Sequence, residues 1–245
     1  MNYIFKSAKN EEYNNFLSKL NEYNLINDDE FIFSLIDEAD KNHNLLKYLE
    51  LHFELYPVDI NKKDKNNQTV LMYALSSSNP KMIYDIIIKS HPRMNDRNKH
   101  EESNLCYLCD IDDEFYSDKL IILNDLYHKG ENPIYYTNEQ LEILVESLSS
   151  NRMEFIDIFL SYYDYQEIIQ KMIIYFLIEK DKLKHIISKL KNGDIKINGQ
   201  KLIQILKNNK CEIDIIELLI LKGAKISDIY DEYDQKLIFK FIKKI

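Results

Sequence analysis

The sequence predicts an all-α fold, a solenoid of stacked antiparallel helix pairs with atypical capping helices at both ends. Three observations lead there. Glycine and proline are scarce, with 4 of each in 245 residues, whereas sandwiches and barrels need both at many tight turns and phosphate-cradling loops need Gly for close backbone approach. The segments between Asn, Asp, Gly and Pro punctuation are short, one to three helical turns each. Dense apolar blocks also recur along the chain at a near-constant interval.

In chain order, residues 1–58 accommodate two helix pairs, with Leu45, Leu46, Tyr48, Leu49 and Leu51 as the inner block of the second. Terminal repeats are atypical because one of their faces must be polar. Apolar blocks then fall at 83–88, 122–126, 155–160, 185–190 and 215–221, and each is assigned to the second helix of a pair. The intervals between Ile83 and Ile215 average about 33 residues, and self-similarity at that spacing marks stacked helix pairs. Ile215, Ile216, Leu218, Leu219 and Ile220 surround most of one helix, which therefore expects burial on several sides. Residues 229–245 form a C-terminal cap whose helix turns Leu237, Ile238, Phe241 and Ile242 inward and Lys236, Lys240, Lys243 and Lys244 outward. The expectation is one repeat domain over 1–245.

Particular residues resemble a known family. Thr69-Val70-Leu71-Met72-Tyr73-Ala74 is similar to the T-P-L-H-x-A segment that opens the first helix of an ankyrin repeat, and Ser103-Asn104-Leu105-Cys106-Tyr107-Leu108 is a fainter echo one interval further on. The run from Ile215 through Leu221 to Lys222-Gly223-Ala224 resembles the end of an ankyrin second helix. Lys129-Gly130-Glu131-Asn132-Pro133 is similar to the turn that follows one, and Asp59-Ile60-Asn61-Lys62-Lys63-Asp64 to the hairpin entry of the next repeat. The resemblance spans 59–228. The chain departs from it by lacking the motif's Pro and His and by replacing turn glycines, with His91 and Tyr163 in two such places. Ankyrin-like repeats imply a protein that works by binding other proteins through its concave face and loop tips.

Chemistry is sparse. No phosphate-binding glycine loop, dinucleotide fingerprint, nucleophile elbow or zinc-protease motif occurs, and neither catalysis nor a cofactor is expected. The acidic run at 110–114 lacks the Gly and the terminal Glu of a calcium loop. Cys106-x-x-Cys109 would bring two thiols to one helix side, where His100 or His128 would join a metal; the plain alternative is two small core positions. Carboxylate clusters at 28–30, 101–102 and 231–232 precede apolar runs, where helix N-termini favour acids. Three cysteines are too few for a disulfide framework. The N-terminus turns polar early, and the longest apolar run is 172–178, far short of the ~20 residues that span a bilayer. From these features the chain is expected in the cytoplasm and outside membranes, with export or injection without a cleavable leader as the alternative, and a monomer is expected.

Charge is uneven. Residues 180–245 hold 15 of the 32 basic and 9 of the 41 acidic residues, a net of +6, which leaves −15 for 1–179. An acidic body favours a basic protein partner and repels nucleic acid and anionic membranes; net charge of this size also serves solubility alone. Tyrosines collect in the loops expected at the binding edge, Tyr135 and Tyr136, then Tyr162, Tyr163 and Tyr165. Tyrosine gives large contact area and a hydrogen bond at low entropy cost. These five, flanked by Asp110, Asp112, Asp113 and Glu114, are the candidate partner-binding residues. The leading expectation is a non-catalytic protein-binding module of the immunity, antitoxin, effector or host-range kind. The alternatives are a scaffold bridging two proteins through the acidic and basic ends, and an enzyme whose active site has no sequence motif.

Overall fold

The protein is described by a computed structural model covering residues 13–22, 30–56, 58–109, 115–132, 137, 153–162, 180–190, 213–225 and 236. The chain divides into two compact units, Met1–Leu144 and Val145–Ile245. The first contains α1 (Tyr13–Glu22), α2 (Phe31–Lys41), α3 (Leu46–Leu55, entered through a 3-10 turn at His43–Leu45), α4 (Val70–Leu75), α5 (Pro80–Ile87), α6 (Asn104–Cys109) and α7 (Tyr116–His128). The second contains α8 (Met153–Tyr162), α9 (Lys180–Lys189) and α10 (Ile213–Leu221).

In the first unit three consecutive helix pairs stack in two layers. Each helix packs on its pair mate, α2 on α3, α4 on α5 and α6 on α7. The first helices α2, α4 and α6 form one row and the second helices α3, α5 and α7 the other. In the second unit α8, α9 and α10 stack in sequence order. The five apolar blocks expected to be second helices therefore lie in α5, α7, α8, α9 and α10, in stacked rows within each unit. α1 joins the series, since its Phe16 ring meets Tyr48 of α3 at 4.9 Å. The spacing from Tyr13 to Ile213, the first residues of α1 and α10, averages about 33 residues per repeat.

The layers are held by apolar burial. α4 buries Val70, Leu71, Met72, Ala74 and Leu75, every residue but Tyr73. α5 contributes Ile83, Tyr84 and Ile87, and α7 contributes Ile122, Leu123, Leu126 and Tyr127. The expected inner block of α3 is buried at Leu45, Leu46, Tyr48 and Leu49, while Leu51 is half-buried. In α10 Ile215 and Leu219 are buried, Leu218 and Ile220 are half-buried and Leu221 is exposed, a narrower buried stripe than its composition suggests. Of residues 231–245 only Lys236 is described, and it is exposed.

Polar contacts register one pair on the next. Asp40, near the end of α2, accepts hydrogen bonds from Ser78 N at 3.0 Å, Ser78 Oγ at 2.8 Å and Asn79 N at 3.1 Å. The start of α5 has no side-chain cap of its own, so the preceding repeat caps it. Along the second-helix rows Lys89 meets Glu50 at 2.8 Å, Tyr84 donates to Asp125 at 2.7 Å, and Asp157 accepts from His185 at 2.5 Å and Lys189 at 3.2 Å.

Three of the helices, α5, α7 and α10, are followed by left-handed residues. Gly130 (φ 103) and Gly223 (φ 116) follow α7 and α10. The amide beyond each reaches back to close the last turn, Glu131 N to Leu126 O and Ala224 N to Leu219 O, both at 3.0 Å. After α5 the same left-handed place is filled by His91 (φ 53), as expected for a replaced turn glycine. Tyr163 lies outside the described residues.

Two substitutions test these contacts. Replacing Asp40 with Ala removes the borrowed cap and lowers stability by about 1–2 kcal/mol, read as a lower urea midpoint at unchanged slope. His91→Gly relieves a left-handed L-residue that costs roughly 1–2 kcal/mol, offset in part by glycine's greater freedom when unfolded. A net gain of about 0.5–1 kcal/mol is expected in the same assay.

Candidate interaction surface

The face lined by the first helices is built on a turn that occurs twice among the described residues. In the first copy Asp64 accepts from the amides of Asn66 and Gln68, both at 2.8 Å on Oδ1, while its own N–H donates to Gln68 O at 3.0 Å. Asn67 sits at φ 59 and closes on Asp64 O. Lys63 and Thr69 then form an antiparallel bridge, the root of the hairpin expected there. In the second copy, one repeat further on, Asn98 accepts from the amides of His100 at 2.8 Å and Glu102 at 3.0 Å, and Glu101 takes the left-handed place at φ 64. Asp and Asn suit this role because a short side-chain oxygen can capture amides two and four residues ahead.

Each turn hands over to a capped helix. Thr69 Oγ1 accepts from Met72 N at 3.2 Å, and Met72 Sδ accepts from Thr69 N at 3.4 Å. Ser103 repeats the first contact to Cys106 N at 3.4 Å. Segments 69–74 and 103–108 thus enter their helices through the same side-chain cap, one repeat apart.

One residue of each short helix turns away from the core. Tyr73 and Tyr107, at the same place in adjacent repeats, are half-buried where their neighbours are buried. Tyr73 donates to Asp64 Oδ2 at 3.1 Å and packs on Phe33 of α2 with centroids 4.9 Å apart. Burial first, then the charge of Asp64 and its hydrogen bond, with Asp37 and Glu30 adding to them, push its phenol well above the usual range. The Tyr107 hydroxyl accepts from Gln68 Nε2 at 2.5 Å and Asn98 Nδ2 at 2.8 Å, one donor from each turn. Burial raises its phenol too. Around Tyr73 the charge is negative, from Asp64, Asp37 and Glu30. The Asp37 carboxyl is itself raised, chiefly by desolvation and then by Asp40 and Glu38 against the pull of Lys41.

The turn tips are committed to one another. Lys99 N donates to Asn66 O at 2.9 Å, Lys63 meets Asp96 at 2.9 Å, and Asn61 Oδ1 accepts from Arg93 N at 2.7 Å. One repeat further, Asn95 Oδ1 accepts from Asn132 N at 2.9 Å. Beneath them Glu131, buried, accepts from Asn104 Nδ2 at 2.9 Å and lies 3.9 Å from Arg97.

Tyr135, Tyr136, Tyr163, Tyr165, Asp110, Asp112, Asp113 and Glu114 lie outside the described residues, and Tyr162 is described only as the last position of α8. Tyr73 and Tyr107 were not singled out. The signal that finds them is the variable position of the helix-entry motif, which carries Tyr in both copies. Cys106 and Cys109 are buried in α6, and Cys106 Sγ lies 3.5 Å from Ser103 Oγ. They fill the small-residue core positions that were the plainer reading. Among the described residues no three or more His, Cys, Asp or Glu side chains gather as a metal site, and no helix is long and apolar enough to cross a membrane.

No protein-family model matches the chain, and no curated protein sequence does. Among solved structures the human ASB11 ankyrin repeat domain is similar, with a TM-score of 0.49 and 13% identity over 84% of this chain and 96% of that one. The repeat described above stands on this chain's own hydrogen bonds, which recur from one turn to the next.

Tyr107 is the test of that recurrence. Removing its hydroxyl in Tyr107→Phe strands Gln68 Nε2 and leaves Asn98 Nδ2 with Glu102 as its acceptor, and costs about 1–2 kcal/mol. In a double-mutant cycle with Gln68→Ala, a coupling of roughly 0.5 kcal/mol or more shows that the hydroxyl joins the two turns.

Proposed function

We propose that this chain is a non-catalytic module that binds a protein partner across the first-helix face and the loops beside it. The observation that carries the reading is the pair Tyr73 and Tyr107. They stand half-exposed at one repeat position on adjacent first helices whose other residues are almost all buried. A row of amphipathic rings on a rigid two-layer stack is a contact surface that loses little entropy on binding. Committed turn tips add to this rigidity. The negative environment of Tyr73 and the net −15 over 1–179 favour a basic partner. Tyr135, Tyr136, Tyr162, Tyr163 and Tyr165, with Asp110, Asp112, Asp113 and Glu114, extend this surface in our reading, in which 1–245 acts as one repeat domain. An immunity, effector or host-range role belongs to the same proposal.

The test is affinity capture from lysate of the source cell, comparing wild type with Tyr135, Tyr136, Tyr162 and Tyr163 changed together to Ala. A partner held by wild type and lost by at least tenfold from the folded variant supports the reading. Equal capture by both removes those tyrosines from the surface. A second variant with Asp110, Asp112 and Asp113 changed to Asn and Glu114 to Gln weakens capture and flattens its salt dependence if the partner is basic.

A further inference from the structure

The second helix of the N-terminal pair contains a side chain that the binding reading does not use. His52 is 4% exposed, within the last turn of α3. Its ring lies edge-on to Phe31 of α2, with centroids 5.4 Å apart, and 5.1 Å from the ring of Tyr56 just beyond the helix. Its Nδ1 is buried with no hydrogen-bond partner. A neutral imidazole tolerates that setting and an imidazolium does not, because a buried charge needs an opposite charge or acceptors close by.

No such group is at hand on the packed elements among the described residues. Glu50 of α3 pairs with Lys89, which follows α5 and also feels the charge of Glu54. On α2, Glu38 holds Lys41 at 3.1 Å, while Glu30 and Asp37 act on Tyr73. Asp85 of α5 holds Lys81. Burial is the single cause acting on the His52 ring, and it lowers its pKa to about 4.

We infer that protonation of His52 is an acid-triggered release for the N-terminal end of the first unit, freeing α3 from α2 and α5, and α1 along with α3, while α4–α7 stay folded. The release is local because each helix pair of a repeat stack contacts only its neighbours, so the loss of one interface need not propagate. α1 follows α3 through the contact of Phe16 with Tyr48.

The sign follows from the two proton affinities. In the opened state the imidazole titrates near its ordinary 6.5, and in the closed state at about 4. Closure is therefore fully supported above pH 6.5 and loses support as pH falls from 6.5 toward 4, with the opened state taking up the proton. Between pH 7.5 and pH 5 the opened population rises about 30-fold.

Amide hydrogen exchange of the full chain at pH 7.5 and pH 5, corrected for the intrinsic pH dependence of exchange, tests this. Protection of residues 46–55 is expected to fall about 30-fold relative to residues 116–128, and His52→Leu is expected to abolish that difference. A ring titration of His52 by NMR in the unmodified protein guards against a variant that fails to fold, with a midpoint well below 6 expected. The inference is overturned by a midpoint near 6.5, by equal loss of protection in both segments, or by a folded Leu variant that keeps the wild-type pH dependence.

Discussion

The side-chain oxygen that folds back onto its own chain at Asp64 and again at Asn98 is the interaction on which the first unit depends. Each fixes the turn preceding a first helix, and so fixes where that helix begins and which of its residues faces out. α4 and α6 are six residues long, too short to persist in water alone. They exist because the turn delivers them, capped by Thr69 and Ser103, into a slot between neighbouring helices. The stack then supplies the apolar burial that the short helices cannot supply for one another in isolation.

A second constraint ties repeat to repeat. The hydroxyl of Tyr107 is shared by one donor from its own turn and one from the turn before it. Asp40 likewise caps a helix that belongs to the next pair. These two links, from Tyr107 to Gln68 and from Asp40 to Ser78 and Asn79, cross 38 or 39 positions of sequence yet are local in space, since the interval is close to one repeat. Register between repeats is thereby set by directional bonds, while cohesion comes from Ile, Leu and Phe side chains that are interchangeable in kind. The face carrying Tyr73 and Tyr107 is rigid because the bonds that position it are the same ones that register the stack.

Much of this was legible in the sequence, for reasons particular residues make plain. The apolar blocks at 83–88, 122–126, 155–160, 185–190 and 215–221 are legible because a helix buried on more than one side must be dense in Ile and Leu, and all five lie in helices that stack in rows. His91 is legible as a glycine replacement because it follows an apolar block at the proper offset, and it adopts the left-handed backbone. The polar registration was not legible. Asp40 looks like any acid near a helix end, and its partners belong to the next repeat. Tyr73 and Tyr107 were hidden among 18 tyrosines, because a half-exposed ring and a buried one are the same letter. The uneven burial of α10 was hidden likewise, since composition reports how much of a helix is apolar but not how closely its neighbours approach.

The pairing of Asp64 with Asn98 at equivalent places has an evolutionary corollary. Both residues present the same carbonyl-type oxygen to the same two amides, so either one closes the turn. They differ by one unit of charge and by a single base in their codons. A lineage can therefore change the charge carried by individual repeats, one at a time, while the backbone of each turn is preserved. The charge that the turns carry is in this way separable from the backbone that presents it.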